Sequence, residues 1–257
     1  MKVLIIGEKC IDRYIYGNCY RLSPEGPVPV LLYNDIKISD GMSGNVFNNF
    51  QSIWHGDKIN ANKISSTALI SNDEDMFKTR YIDKKTNQLL LRVDKSDRCR
   101  RIKNDMLETI VSDKYDYIIV SDYNKGFLTE EDLCILGKSS NVFSILDSKR
   151  KLNNDIAESY KFIKLNTFEA NQNLDIIQTY VNKILITHGP DGVEYDFDIF
   201  PVPSKIQTFD VSGAGDTFVA AFSYAMIINN NINDAIVFAQ TCCSQVIQKQ
   251  GTAVYEW

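Results

Sequence analysis

Asp216 closes a run, Thr208-Phe-Asp-Val-Ser-Gly-Ala-Gly-Asp-Thr-Phe218, in which two glycines open a long apolar stretch. At the mouth of a helix the first backbone N–H groups have no intrahelical partner, and the aligned peptide dipoles favour an anion. Gly213 and Gly215 carry no Cβ, so a ligand can approach those N–H groups closely. Asp216 then sets a carboxylate beside the anion hole that the Gly213, Ala214 and Gly215 backbone would form. Phosphoryl transfer needs both parts: a cradle for the charge of the moving group and an acceptor for the proton of the attacking hydroxyl. A bare Gly-x-Gly-Asp is more often a tight loop with a first-turn acid, so the longer frame has to carry the chemical reading.

The elements that would position this run follow from hydrophobic patterning. Val3–Ile6, Tyr117–Val120, Phe143–Leu146, Phe162–Leu165 and Ile184–Thr187 are short apolar runs that predict strands buried on both faces. Each ends in polar or Gly-containing sequence, including Asp147-Ser-Lys149, Asn166-Thr-Phe-Glu169 and His188-Gly-Pro. Ligands of open parallel sheets bind beyond such strand ends. Asp216 to about Ile228 and Asn233 to about Gln248 carry apolar residues at helical spacing. Tyr14–Asp35, rich in Tyr and Pro, reads as extended chain, and Tyr81–Asp94 as a hairpin turning at Lys84–Asn87. Together they predict a small β appendage, from about 12–35 and 80–95, that covers a site.

Length and composition set the frame. A chain of 257 residues, 44% hydrophobic and 24% charged, fits one α/β domain over 1–257. A net charge of −5 argues against nucleic acid or an anionic membrane as the main partner. The basic run Arg98-Cys-Arg-Arg-Ile-Lys103 reads as a solvated helix face. Six cysteines without Cys-x-x-Cys spacing, and two distant histidines, give no zinc pattern. Reduced thiols and the lack of a leader or spanning segment make a cytoplasmic location the expectation.

The eleven residues from Thr208 to Phe218 resemble the signature of the ribokinase-like (PfkB) carbohydrate kinases. That resemblance implies an α/β fold of three layers (α/β/α), with a mostly parallel central sheet and a small β-sheet lid. It implies transfer of the γ-phosphoryl group of ATP to a sugar hydroxyl, with Asp216 as catalytic base and Gly213, Ala214 and Gly215 as anion hole. Asn166-Thr-Phe-Glu169 matches the family's N-x-x-E, which organises Mg²⁺ through water; read alone it is a capping arrangement. Thr187-His-Gly-Pro-Asp-Gly192 resembles the nucleotide loop, with Thr187, Gly189 and Gly192 joining Lys149 and Asn166 as nucleotide contacts; read alone it is an ordinary turn. Asp210 and Ser212 match positions around a monovalent-cation (K⁺) site; read alone they are turn residues before a helix.

Gly7-Glu-Lys-Cys-Ile-Asp12-Arg-Tyr and Arg21-Leu-Ser-Pro-Glu-Gly-Pro-Val-Pro-Val30 resemble the D-glycero-β-D-manno-heptose 7-phosphate kinase branch, as do Gln88–Asp94 and Ser121–Gly126. By that resemblance Asp12, Asn45 and Asp122 hold sugar hydroxyls, with Gly41 in the substrate loop, while Arg21, Arg92 and Lys125 are candidates for a sugar phosphate. Lid-to-lid pairing into a homodimer is the implied assembly. Two departures stand out: Met42 replaces a family glycine in Gly41-Met-Ser-Gly-Asn45, and the segment 46–78 is short, leaving Trp54 and His55 without a role. The sequence stops at Trp257, so the nucleotidyltransferase half of bifunctional relatives is expected to be absent. A kinase for another sugar or nucleoside, or a non-catalytic nucleotide- or sugar-binding member of the fold, remains the alternative.

Overall fold

The computed structural model describes residues 1–140, 142–203 and 206–257. All five expected strands form, and alternate residues within them serve opposite faces of one sheet. Val3 and Ile5 of β1 (Lys2–Gly7) pack toward one buried cluster, while Leu4 and Ile6 pack toward another. That division is what a strand covered by helices on both sides requires. The central sheet continues through β7 (Tyr117–Asp122), β8 (Phe143–Ser148), β9 (Phe162–Asn166) and β10 (Ile184–Thr187). With β4 (Ser66–Ile70), β11 (Val193–Tyr195) and β12 (Asp198–Phe200), its order is β12-β11-β10-β9-β8-β7-β1-β4. Pairing is parallel from β10 to β4, and the hairpin β10–β11–β12 adds an antiparallel edge.

One face carries α1 (Ser43–Gly56), α7 (Ala214–Asn229) and α8 (Ile232–Val246), whose Phe50, Phe222 and Ile236 share a cluster with Val3, Ile119 and Ile145. The opposite face carries α2 (Asn104–Asp113), α3 (Glu130–Ser139), α4 (Asn154–Ser159) and α6 (Leu174–Thr179), which bury Leu107, Leu133, Ile156 and Ile176 against Leu4 and Ile118. A short helix, α5 (Thr167–Asn171), follows β9 directly.

A second sheet, ordered β3-β2-β5-β6, forms from β2 (Lys9–Leu22), β3 (Pro29–Met42), β5 (Phe77–Asp83) and β6 (Gln88–Lys95). Its strands run beyond the expected 12–35 and 80–95, because β2 and β3 continue in register down to Lys9 and Met42 beside the central sheet. The β5–β6 turn falls where expected: Thr86 donates from both N–H and Oγ1 to Asp83, and Asn87 takes φ 57.

The basic run 98–103 is not a helix face. It is an extended connection before α2 in which Ile102 is buried, Arg101 grips the carboxylate of Asp132, and Arg100 pairs with Glu74. Helical periodicity begins only at Asn104. In the shortened middle segment Trp54 closes the end of α1, since its Nε1–H donates to the Ala61 carbonyl at 2.7 Å and its ring stacks on His55. All six cysteines are free, and no described helix is long and apolar enough to cross a membrane.

Candidate active site

Gly213 takes φ +81 just before α7, a conformation glycine adopts without strain. Thr217 N–H makes an early helical bond to the Gly213 carbonyl, so the N–H groups of Gly215 and Asp216 precede the ladder and stay available to a ligand. A Cβ on Gly213 would lie 2.5 Å from Asn45 Nδ2, and one on Gly215 would lie 3.0 Å from Lys164 Nζ. Gly213 is thus required by its backbone conformation and by Asn45, while a side chain at Gly215 would press on the Lys164 ammonium.

Asp216 is only 4% exposed. Asn45 Nδ2 donates to its Oδ2 at 3.0 Å, and the Tyr123 hydroxyl donates to its Oδ1 at 2.9 Å. Burial pushes the carboxyl up to about 6; Asp147 adds to that, while the Asn45 and Tyr123 hydrogen bonds and the Lys164 charge oppose it. Such a carboxylate is ionised at neutral pH yet basic enough to take a proton. Asn45 is itself held by Asn49, whose Nδ2 reaches its carbonyl and Oδ1.

Nothing in the sequence points to Tyr123 or Glu8, because their roles depend on contacts 93 to 119 residues apart. The buried Glu8 carboxylate accepts the N–H groups of Tyr123, Lys125 and Phe127, fixing the loop after β7. Lys78 Nζ and Lys149 Nζ lie 5.1 and 5.4 Å from the Tyr123 ring centroid.

A cleft of about 360 Å³ is lined by Lys149, Lys164, Asn166, Thr187, Gly189, Gly213, Gly215 and Asp216, among others. Lys149 pairs with Glu169, and Glu169 accepts from Asn166 N–H and Nδ2 while Asn166 Oδ1 accepts Glu169 N–H. The N-x-x-E is thus a true capping box at α5, and it also sits at the cleft. Among the described residues no three His, Cys, Asp or Glu side chains gather as a metal cage. Buried Glu169 beside the cleft fits a Mg²⁺ that keeps its waters and sits mainly on phosphates. Gly189 and Gly192 take φ +60 and +102 in the β10–β11 turn. Asp210 accepts Ser212 N–H on Oδ1 and Gly251 N–H on Oδ2, tying the loop before α7 to the turn at Gly251.

On the second sheet, Asp12 is buried and ion-paired with Arg80, and a Cβ on Gly41 would strike the Asp12 carboxylate. The pairing registers put Asp12, Lys78, Arg80, Arg92 and Asp94 on one face. Arg92 forks onto Asp94, and Lys125 pairs with Asp97. Asp122 and Arg21 are brought neither to the cleft nor to the open part of this face. Asp122 is 0% exposed and satisfied by Arg150, Ser148 Oγ and Asn124 N–H. Arg21 is exposed near the far end of β2, about 30 Å along the strand from Asp12.

Residues 57–256 match the pfkB family carbohydrate kinases. The chain belongs to the pfkB family. Among curated relatives of this pfkB member, the bifunctional protein HldE of Sulfurimonas denitrificans is 32% identical over 305 residues, and that of Nitratiruptor sp. is 27% identical over 296. Each alignment covers 98% of this chain and 62% of the relative, so the pfkB chain spans less than two thirds of those proteins. In fold it is similar to the ribokinase of Thermotoga maritima (TM-score 0.70, 16% identity, 97% of this chain and 94% of that one). It is also similar to the Escherichia coli phosphofructokinase-2 solved in complex with potassium (TM-score 0.71, 14% identity, 100% and 95%).

Proposed function

We propose that this pfkB protein is an ATP-dependent kinase that phosphorylates a sugar phosphate, D-glycero-β-D-manno-heptose 7-phosphate being the acceptor its motifs favour. One observation carries the reaction: Asp216, buried and oriented by Asn45 and Tyr123, stands beside free helix N–H groups at the cleft. The acceptor hydroxyl attacks the γ-phosphorus; its oxygen–phosphorus bond forms as the bond to ADP breaks, and its proton passes to Asp216. The Gly215 and Asp216 N–H groups face the charge on the transferring group. Lys149, Asn166, Thr187 and Gly189 line the nucleotide side. Mg²⁺, held through water near Asn166 and Glu169, would supply charge neutralisation at the phosphates. Asp210 and Ser212 are the residues to which K⁺ dependence would trace.

The acceptor reading rests on the second sheet. Asp12 and the Gly41 backbone offer acceptors to a polyol, and Lys78, together with Arg80 and Arg92 paired to Asp12 and Asp94, leaves the same face with a net positive charge. The HldE relatives support it at the level of family resemblance. The opposite face of this sheet exposes Ile36, Ile38, Leu91 and Val93 together, and we assign it to a second copy of the chain. ATP consumption over a panel of sugars, nucleosides and sugar phosphates tests the proposal. Heptose 7-phosphate should be the preferred acceptor; preference for an unphosphorylated sugar or nucleoside would replace it, and nucleotide binding without turnover on any acceptor would reject a kinase.

A further inference from the structure

We propose that the Lys164 ammonium binds the phosphoryl group during its transfer, from the floor of the cleft beneath Gly215. This makes Lys164 a catalytic residue outside the Gly213–Asp216 motif. It rests on the phosphoryl-transfer reading of the cleft.

Lys164 is the third residue of β9, between Ile163 and Leu165, which enter the helix-covered core of the other face. Strand alternation turns Lys164 the opposite way, toward α7. Its side chain is only 2% exposed. Burying an ammonium costs several kcal/mol unless it is paired and hydrogen-bonded. An ammonium has three N–H donors. Among the described residues one acceptor meets them, Asp147 Oδ1 at 3.2 Å. That same oxygen lies 3.6 Å from Lys149 Nζ, so the carboxylate is shared between two cations. Lys149 is compensated by Glu169 as well; among the described residues no acid other than Asp147 lies within ion-pair distance of Lys164.

The unused donors belong to a group that lines the cleft and sits 3.0 Å from where a Gly215 Cβ would be. A buried, under-satisfied cation directly beneath helix N–H groups is a site for an anion that arrives and leaves. The transferring phosphoryl group is such an anion, with charge spread over three equatorial oxygens. The bond from acceptor oxygen to phosphorus forms, the bond from phosphorus to the ADP oxygen breaks, the acceptor proton goes to Asp216, and Lys164 keeps all three of its protons. The lysine charge also favours ionised Asp216, consistent with its place between base and phosphates.

The test compares MgADP affinity with and without aluminium fluoride, a planar stand-in for the transferring group. It uses the full chain, Lys164→Met, Lys164→Met/Asp147→Asn and Asp216→Asn. Aluminium fluoride should tighten MgADP binding in the unaltered chain, and that gain should fall by on the order of 100-fold in Lys164→Met. Binding of MgADP alone should change by no more than about threefold. The double variant removes both buried charges, so it should recover stability while staying deficient in the fluoride gain. Retention of the gain in Lys164→Met, or its recovery in the double variant, would overturn the proposal, the latter showing that Lys164 only neutralises Asp147. No fluoride gain in the unaltered chain would remove the cleft reading and this proposal with it. Sugar turnover by Asp216→Asn would reject the base while leaving the Lys164 comparison intact.

Discussion

The Tyr123 hydroxyl donates to Asp216 Oδ1 at 2.9 Å, with Lys78 from the second sheet and Lys149 from the end of β8 both near its ring. Burial holds the Tyr123 phenol well above its ordinary range, so it is a donor throughout the working pH range. Its bond to Asp216 opposes the upward push of burial, as do Asn45 and Lys164, whereas Asp147 reinforces that push. In Tyr123→Phe the acid limb of the kcat/KM profile should therefore move above its starting value of about 6. Turnover near that pH should fall roughly tenfold, the scale of a lost hydrogen bond to a charge. An unmoved limb would mean that the phenol does not support the base.

The same burial has a stability consequence. Asp216 sits at about 6 in the folded chain against an ordinary 3.8, so the unfolded state loses this proton first. Its stabilising contribution is present below 3.8 and is lost as pH rises through 6. Above that range, keeping the ionised carboxylate buried costs up to about 3 kcal/mol. The Tyr123 hydroxyl can turn to accept from an amide, so Asp216→Asn should fit the site. Urea unfolding should show Asp216→Asn more stable than the unaltered chain at pH 8, with the gap closing toward pH 4.

Met42 adopts φ 58 and ψ −133 at the start of α1, where the family has glycine, yet its side chain is buried with Cys10 and Met76. Removing that side chain loses packing in any variant, but only glycine also releases the backbone strain. Met42→Gly should thus be more stable than Met42→Ala by about 1 kcal/mol, the reverse of the usual order. Chemical denaturation of the two variants checks this directly. The glycine variant should also accept a wider range of sugars, read as relative kcat/KM.

How far the fold was legible follows from the same residues. Strands such as Tyr117–Val120 were evident because burial on both faces leaves an unbroken apolar run. The turn at Lys84–Asn87 was evident because it separates two alternating segments. The run 98–103 misled because charge density says nothing of partners: Glu74 and Asp132 come from elsewhere in the chain. Asp122 carried family resemblance, but Arg150 and Ser148 enclose it. Lys164 carries a legible signal, since a lysine at the centre of an apolar strand must be paired or functional. Glu8 and Tyr123 had none, since only the folded sheet places β1 beside β7.

Arg92 and Lys78 should affect the acceptor and not the nucleotide. Arg80 is the wrong residue to remove, because it would leave buried Asp12 without its partner. Arg92→Met and Lys78→Met should each raise KM for heptose 7-phosphate about tenfold, with KM for ATP unchanged. Equal effects on phosphorylated and unphosphorylated acceptors would remove the phosphate from this face.

The central claim is that Asp216 takes the acceptor proton at the mouth of α7. The most direct measurement is turnover by Asp216→Asn at saturating ATP and heptose 7-phosphate, alongside its affinity for MgATP. The account requires turnover to fall by at least about 10²-fold with MgATP affinity intact, the scale expected for a lost general base. Turnover within a few-fold of the unaltered chain would contradict it.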